Sequence, residues 1–374
     1  MSSASEQPTR ETRTGGGHNA VIKRREFLAG IPKTGAGMAG GALLLGAQAG
    51  RVDAEPAAPK AKANARHRFR ISMYLPELGL PFDASLAKAK EIGAEYVWFP
   101  RLGQGEPNIS DLSDAEIDGI GERVAKHGLK IFLLNSGNPF KGIHLTEFTV
   151  DTLERHERFQ KEFSDLKRSM QIASRLDIGA VGSFTFAWPG EYIAKKPTWP
   201  MRWLTRGGHI ADVDMEKLVK AFTLVAEEAD RYDVDVALSM MPWNYTNTTG
   251  NFRRIVEAVG SKRLKVMWGP SDNYNSGETD VGTAGFNNIR PYIHGLHLKD
   301  LRVNDGLKLD FDYCAIGEGH TPYLTILRNL RNYGSDVYLS LSTHFRPPSN
   351  SREEAMRINH RNLLELIAKV EAEA

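Results

Sequence analysis

The stretch Tyr292-Ile293-His294-Gly295-Leu296-His297-Leu298-Lys299-Asp300 decides the fold prediction, because its apolar, β-branched start gives way to His, Lys and Asp near its end. Side chains in a strand alternate between two faces, so Gly295, His297 and Lys299 would share one face and the two leucines the other. A parallel β/α barrel carries its reactive side chains at the C-terminal tips of such strands. The stretch therefore predicts a barrel strand with His297 and Lys299 at a functional tip.

Similar short β-rich runs alternate with amphipathic segments from Phe69 onward. Eight strand-then-helix units across about 305 residues predict an α/β fold, a single-domain (β/α)8 TIM barrel. The predicted strands are Phe69–Tyr74, Glu95–Phe99, Leu129–Asn135, Ala180–Phe186, Val234–Met241, Leu264–Trp268, Ile293–Leu298 and Val337–Leu341. The predicted helices are Ala84–Ile92, Asp114–His127, Val150–Leu176, Met215–Tyr232, Asn251–Val259, Thr283–Arg290 and Arg352–Glu373. No Gly-x-Gly-x-x-Gly follows a strand, so a dinucleotide-binding fold has little support.

The composition is ordinary for a globular protein, with 41% hydrophobic and 25% charged residues among 374. The net charge of +2 comes from the N-terminal segment. Residues 1–54 hold seven of the 48 basic and four of the 46 acidic residues, which leaves the rest of the chain with 41 and 42. This near neutrality argues against a nucleic-acid partner.

Residues 1–54 are predicted to be a disordered N-terminus with a twin-arginine export signal. Lys23-Arg24-Arg25-Glu26-Phe27-Leu28-Ala29 precedes a Gly/Ala-rich apolar run and an Ala-Gln-Ala site at 47–49, a pattern that closely resembles such a signal. Residues 55–67 would be a linker and 68–374 the barrel, in a periplasmic or otherwise exported protein. The alternative is a chance Arg pair before a transmembrane helix, but the run is too rich in Gly for a stable span.

The predicted strand ends supply a candidate binding site for a small-molecule carbohydrate. Aromatic faces stack on sugar C–H surfaces, and amide or carboxylate groups bind hydroxyls. The candidate substrate contacts are Trp188, Asn244, Asp272, Glu77, Arg101, Glu318 and His344. Alternatives stay open: Trp188 could pack the long insertion at 187–213, and Glu318 could brace its loop. Glu77 and Arg101 could form a buried ion pair.

The last two residues of the opening stretch have alternatives of their own. Lys299 could act as a base or polarise a carbonyl, or it could form a salt bridge to Asp300 or Glu318. Asp300 lies on the opposite face of the strand and is expected to brace the following loop.

Several stretches in the second half of the chain carry a family resemblance. They are Ala237-Leu238-Ser239-Met240-Met241-Pro242-Trp243-Asn244, Val266-Met267-Trp268-Gly269-Pro270-Ser271-Asp272-Asn273, His297-Leu298-Lys299-Asp300, Gly317-Glu318-Gly319 and Leu339-Ser340-Leu341-Ser342-Thr343-His344-Phe345. With them, the chain from about residue 69 resembles the xylose isomerase-like TIM-barrel superfamily of sugar phosphate isomerases and epimerases. Inosose dehydratase-like members, which also carry a His-Leu-Lys-Asp type strand, are among the relatives that it resembles.

The resemblance implies a divalent metal, Mn, Mg, Co or Zn, held by Glu, Asp, His and Glu on strands five to eight. The corresponding residues here are Ser239, Gly269, His297 and Ser342, so only His297 keeps its ligand type. A Ser hydroxyl is a poor ligand, Gly has no side chain, and one imidazole cannot hold a hard cation against water. We therefore predict a degenerate metal site and no firm cofactor.

Four functions are open at this point. The favoured one is an exported isomerase- or epimerase-like protein that binds a carbohydrate or cyclitol at the C-terminal mouth of the barrel. Its proton transfer would involve His297 and Lys299. The alternatives are a non-catalytic sugar-binding protein descended from such an enzyme, or a lyase of the inosose dehydratase type. A conventional metalloenzyme would need a shifted site of His297 with Asp272 or His344.

Overall fold

The computed structural model of the chain describes residues 67–103, 106–135, 137–197, 208–305 and 310–373. Eight parallel strands follow one another around a closed barrel, and the last pairs with the first. They are β1 (Arg68–Tyr74), β2 (Tyr96–Phe99), β3 (Lys130–Asn135), β4 (Ala180–Phe184), β5 (Asp235–Ser239), β6 (Leu264–Trp268), β7 (Ile293–Leu298) and β8 (Asp336–Leu341). The prediction of a single (β/α)8 barrel is confirmed. The predicted export signal lies outside the described residues.

Helices surround the sheet and cover its outer face. They are α1 (Phe82–Ile92), α2 (Asp114–Lys126), α3 (Glu157–Arg175), α4 (Asp212–Tyr232), α5 (Thr249–Val259), α6 (Pro270–Asn275), α7 (Phe286–Ile289), α8 (Tyr323–Asn332) and α9 (Arg352–Glu371). Helix α2 begins after Ser113, whose side chain accepts a hydrogen bond from the Glu116 backbone N–H. Among the described helices, none has both the length and the apolar composition that a membrane crossing needs.

The alternation predicted for β7 decides which side chains reach the barrel interior. Leu296 and Leu298 are fully buried in the main hydrophobic core between the strands and the helices. His297 lies in register with Ser340 of β8 and on the opposite face of the strand from these leucines. Trp98 of β2 crosses the interior and donates from Nε1 to Ser340 Oγ at 2.6 Å. On β7, therefore, the leucines face the helices and His297 faces the barrel interior, where it joins aromatic side chains such as Trp98.

Two features of the second half were not anticipated from the sequence. Helix α8 follows β7 after a long connection, and an antiparallel hairpin of Asp300–Asp305 and Asp310–Cys314 lies within that connection. Its strands are polar and partly exposed, so they lack the apolar run that identifies the barrel strands.

The predicted helix Val150–Leu176 was too long at its N-terminal end. One-turn 3-10 helices at Leu145–Glu147 and Leu153–Arg155 come first, and His156 then caps α3 by accepting from the Phe159 N–H at 3.3 Å. The local hydrogen bonds of His156 and its neighbours therefore start the helix later than the apolar periodicity suggested.

Candidate functional site

A cavity of about 410 Å³ opens at the C-terminal mouth of the barrel. Its walls come from the ends of the strands and from the loops that follow them, as the fold requires. Aromatic, amide and ionisable side chains line it, namely Tyr74, Glu77, Trp98, Asn135, Lys141, Phe184, Ser239, Trp243, Asp272, His297, Lys299, Tyr313, Ser342 and His344. The cavity therefore brings together five of the predicted site residues, which are Glu77, Asp272, His297, Lys299 and His344.

A buried ion pair lies in this cavity. Lys299 directly follows β7, and Asp272 lies in the first turn of α6, just after β6. Lys299 Nζ is 3.0 Å from Asp272 Oδ1, and the two side chains are 4% and 7% exposed. Burial alone would lower the pKa of Lys299, but the neighbouring negative groups, Asp272 foremost, outweigh it and raise that pKa. Lys299 thus pairs with Asp272 rather than with the two partners considered from the sequence.

Several buried polar atoms at the cavity have no hydrogen-bond partner among the described residues. They are His297 Nε2, Asp272 Oδ2, Ser342 Oγ and Asn135 Oδ1. Leaving such an atom unsatisfied costs about 1–3 kcal/mol, which is why buried polar groups are normally paired. A cluster of them at one cavity is therefore suited to receive the hydroxyl or carbonyl groups of a ligand.

The imidazole of His297 is held among aromatic rings. Its ring centroid lies 5.4 Å from that of Trp98, in an edge-to-face arrangement, and 6.3 Å from that of Tyr74. Burial, with the Lys299 ammonium as the next contribution, lowers the pKa of His297 well below the usual value. The ring is therefore neutral at physiological pH, and one of its nitrogens carries a free lone pair.

Glu77 and His344 form the side of the cavity nearest β1 and β8. His344 Nδ1 lies 4.0 Å from Glu77 Oε1, and the His344 ring centroid lies 4.7 Å from that of Tyr313. Burial raises the pKa of Glu77, and nearby cations, Arg346 first, oppose that effect. The Glu77 carboxylate therefore faces His344, and Arg101 is not its ion-pair partner within the described ranges.

Lys141 is a cavity residue that the sequence analysis did not identify. It lies on the loop between β3 and α3, and its Nζ is 4.9 Å, 5.2 Å and 5.5 Å from the ring centroids of Phe184, Trp243 and Tyr192. Burial, followed by the Lys299 charge, lowers the pKa of Lys141 to about 8. A single Lys after the third strand is a weak signal in the sequence, because the rings around it come from the end of β4 and from later loops.

Two predicted substrate contacts lie outside the cavity. Trp188 is buried and its ring packs against that of Tyr245, with centroids 3.9 Å apart and the ring planes tilted by 31°. Asn244 is fully buried, and its Nδ2 donates to the Thr185 carbonyl at 2.7 Å. The first arrangement corresponds to the packing alternative for Trp188, and the second ties together the loops after β4 and β5.

Two further predicted contacts are exposed and belong to other surfaces. Arg101 lines an adjoining groove of about 880 Å³ and donates to Asn108 Oδ1 at 3.3 Å. Glu318 is exposed, and its carboxylate lies 3.7 Å from the Arg302 guanidinium. Neither side chain lines the cavity.

Asp300 braces the connection after β7, as the sequence predicted. Its Oδ2 accepts from the backbone N–H groups of Gly317 and Gly319, each at 3.0 Å, and its Oδ1 accepts from those of Leu301 and Thr321. A Cβ added at Gly319 would lie 2.3 Å from Asp300 Oδ1, so only glycine leaves room for this carboxylate. The bracing orients the strand end that carries Lys299.

The side chains at this site do not fit a divalent metal. A Cβ added at Gly269 would lie 2.6 Å from Asp272 Oδ2, so the Asp272 carboxylate fills the space that a side chain at 269 would need. The other oxygen of Asp272 is held by the Lys299 ammonium, whose positive charge repels a cation. Across the residues that the structure describes, no three His, Cys, Asp or Glu side chains are grouped to ligate a metal ion.

Comparisons with known proteins show which fold and family this barrel shares. A search of curated proteins finds no match to the sequence. Among solved structures, the chain is similar to the probable 3-DHS dehydratase AsbF of petrobactin synthesis from Bacillus anthracis, at 15% identity and a TM-score of 0.59, covering 79% of this chain and 98% of that one. It is also similar to an L-ribulose 3-epimerase, at 15% identity and a TM-score of 0.58, covering 82% and 97%.

A third similar structure is the IOLI protein with a bound zinc atom, at 17% identity and a TM-score of 0.58, covering 80% of this chain and 99% of that one. At these identities the similarity shows the fold alone. A family model described as xylose isomerase-like TIM barrel matches residues 86–365. That range contains strands β2 to β8 and all the cavity residues except Tyr74 and Glu77. The chain therefore belongs to the xylose isomerase-like TIM barrel family.

Proposed function

We propose that this protein binds a small carbohydrate or cyclitol in the barrel cavity and acts as an isomerase or epimerase on it. One observation carries the proposal: residues with unpartnered buried polar atoms line the same aromatic-walled cavity as the Lys299–Asp272 pair. Ligand hydroxyls would satisfy those atoms, and sugar C–H faces would stack on the rings. The cavity volume of about 410 Å³ suits a ligand of this size.

The chemistry proposed for the site is proton transfer beside a carbonyl. Lys299, held by Asp272, would donate to the carbonyl oxygen and stabilise the negative charge that develops on it. His297 is neutral and its Nε2 is unpartnered, so this nitrogen would accept the proton from the adjacent carbon. Return of the proton to the other face of that carbon gives an epimer, and return to the neighbouring carbon gives an isomer.

The proposal includes a degenerate metal site. The serines at the ends of β5 and β8 and the glycine after β6 offer no charged ligand, and an ammonium group neutralises Asp272. The similarity to a zinc-containing structure, at 17% identity, is a similarity of fold alone. In this protein, Lys299 would supply the positive charge that a metal provides elsewhere.

Deuterium exchange tests the proposed function. The wild-type protein in D2O, incubated with a panel of keto-sugars and inososes, is expected to exchange one C–H adjacent to the carbonyl, as followed by proton NMR. His297→Gln and Lys299→Met should each slow the exchange by about 100-fold or more, in the range typical of a lost acid–base group. The exposed residues His209 and Lys262 provide matched controls, His209→Gln and Lys262→Met, which should exchange at the wild-type rate.

Exchange that is unchanged in both cavity variants would contradict the assigned roles. Binding of a sugar without exchange would instead favour a second candidate, a non-catalytic sugar-binding protein. One observation favours that candidate: the buried Asp272 carboxylate in the cavity is ion-paired through Oδ1 with Lys299, which weakens it as a base.

We also propose that the protein is exported by the twin-arginine route. The support is the sequence pattern at residues 23–29 and the Ala-Gln-Ala site at 47–49. Arg24→Lys with Arg25→Lys in the full chain should retain the precursor in the cytoplasm, whereas Arg10→Lys with Arg13→Lys should leave export unchanged. Cell fractionation with immunoblotting measures this, and equal export of both double variants would refute the proposal.

A further inference from the structure

We propose that Lys141 is a carbonyl-reactive amine that forms an imine with the keto group of a ligand in the cavity. This inference rests on the proposed function for the class of ligand, a polyhydroxylated compound with a carbonyl. Lys141 lines the same cavity as the Lys299–Asp272 pair, on a loop after β3.

The surroundings of Lys141 differ from those of an ordinary lysine. Its ammonium lies over three aromatic rings, those of Phe184, Trp243 and Tyr192, at 4.9–5.5 Å from their centroids. No carboxylate among the described residues forms an ion pair with it, and the Asp272 carboxylate that attracts it is already paired with Lys299. The rings shield the amine from water. Among the described residues, no salt bridge draws the Lys141 side chain away from the cavity.

A second ammonium strengthens this effect. Lys299 lies in the same cavity, and its positive charge disfavours the protonated form of Lys141. Desolvation together with a neighbouring cation is an established way to make a lysine nucleophilic. With a pKa of about 8 for Lys141, roughly one amine in ten is neutral at pH 7, whereas an exposed lysine has well under one in a thousand neutral.

The step requires no oxidant or reductant. The Nζ lone pair of the neutral amine attacks the carbonyl carbon and forms the C–N bond, while the carbonyl π electrons move to oxygen. One proton then passes from the nitrogen to that oxygen and gives a neutral carbinolamine. A second proton on that hydroxyl allows water to leave, and the nitrogen lone pair forms the protonated imine. In net terms, an ammonium and a ketone give an iminium and water.

The cavity suits the product as well as the reactant. The aromatic faces that contact the ammonium would also stabilise the iminium cation. An iminium acidifies the adjacent C–H more strongly than a hydrogen-bonded ketone does, because its nitrogen already carries the positive charge. In this route Lys299 would donate to the carbonyl oxygen before that oxygen leaves as water, and the iminium nitrogen would take the electrons during the proton transfer. The proton acceptor for that step is the one already assigned, His297 Nε2.

Reductive trapping tests the inference. The full chain is incubated at pH 7 with dihydroxyacetone and sodium cyanoborohydride, and the adducts are located by peptide mass spectrometry. Lys141 is expected to be labelled at least about tenfold faster than the exposed Lys262, because its neutral fraction is larger. Lys141→Arg keeps a cation over the rings but cannot form the imine, so it should lose that adduct while retaining the wild-type melting temperature within a few degrees.

Labelling of Lys141 no faster than that of Lys262 would overturn the inference. So would dominant labelling of Lys299, or an unchanged rate of deuterium exchange in a folded Lys141→Arg protein that exchanges a bound keto-sugar. The proposed function has a separate test outcome. If Lys141 is trapped selectively but no sugar exchanges a C–H, the inference about Lys141 stands and only the proposed proton transfer is refuted.

Discussion

The buried ion pair of Lys299 and Asp272 determines which charges the cavity presents to a ligand. Each charge is compatible with burial because the other lies 3.0 Å away. A buried ion pair is not in itself strong evidence for stability, since replacing both partners is often tolerated. Removing one partner is different, because a charge is then left without compensation.

Lys299→Met is therefore expected to destabilise the fold by about 3–5 kcal/mol, the usual cost of an unpaired buried charge. The double variant Lys299→Met with Asp272→Asn should lose less stability than Lys299→Met alone, although neither should bind a keto-sugar. Urea unfolding and calorimetric titration measure the two effects. Equal destabilisation of the single and double variants would show that the pair is not coupled.

A second residue, His294, links stability to pH. It lies at the opposite end of β7 from Lys299, with its ring stacked on Phe132 at a centroid distance of 6.0 Å. Burial lowers the pKa of His294 to about 4, with Lys265 and Arg70 acting in the same direction. An unfolded histidine has a pKa of about 6.5, so the unfolded state binds more protons between these two values.

Stability is therefore expected to fall as the pH drops from about 6.5 to about 4, with His294 contributing about 2 kcal/mol of the loss. Above pH 7 the group makes no pH-dependent contribution. In His294→Gln, the decrease in the free energy of unfolding between pH 7 and pH 4.5 should be smaller than in the wild type. The exposed His209→Gln serves as the control, and the same decrease in all three proteins would refute the assignment.

At the scale of elements, the connection between β7 and α8 depends on one carboxylate. Asp300 accepts hydrogen bonds from the backbone of Leu301, Gly317, Gly319 and Thr321, and so closes the hairpin-containing loop onto the strand end. The same hairpin brings Tyr313 to the cavity. The loop therefore positions both Lys299 and one aromatic wall.

Asp300→Ala should lower stability by about 2–4 kcal/mol, because several buried donors lose their acceptor. It should also increase the rate of tryptic cleavage at Arg302 and weaken sugar binding. Glu318→Ala, in the same loop but exposed, is the matched control and should change stability by less than about 0.5 kcal/mol. Urea unfolding with limited proteolysis checks this prediction, and equal effects of the two variants would contradict it.

At the scale of the whole molecule, closure of the barrel brings the ends of all eight strands to one mouth. The cavity formed there is lined by two lysines, Lys141 and Lys299, and Lys299 is paired with the buried Asp272 carboxylate. Because the described side chains group no three metal ligands, a divalent ion has little to gain by binding.

Protein purified without chelators should therefore contain less than about 0.2 metal per chain by elemental analysis. Dialysis against EDTA, or addition of Mn, Mg, Co or Zn, should leave the melting temperature and sugar affinity unchanged, since only an ion that binds the folded state would stabilise it. Near-stoichiometric metal, or a melting temperature that rises with one of these ions, would contradict the proposal.

The sequence by itself determined the barrel and the orientation of its seventh strand. Leu296 and Leu298 alternate with His297, and such a period is a local property that needs no knowledge of the fold. Helix boundaries were less secure, because capping by His156 competes with the apolar periodicity that predicted an earlier start for α3. Family motifs likewise lie along the chain in order, so the family could be recognised before the structure.

Only the tertiary structure decided which groups share the cavity. Asp272 as the partner of Lys299, the three rings around Lys141, and Tyr313 beside His344 all join segments that are distant in sequence. Trp188 and Asn244 occupy sequence positions equally suited to ligand contact, yet they are buried in packing between loops. The physical reason is that periodicity depends on neighbours along the chain, whereas charge pairing and burial depend on how the closed barrel folds its loops together.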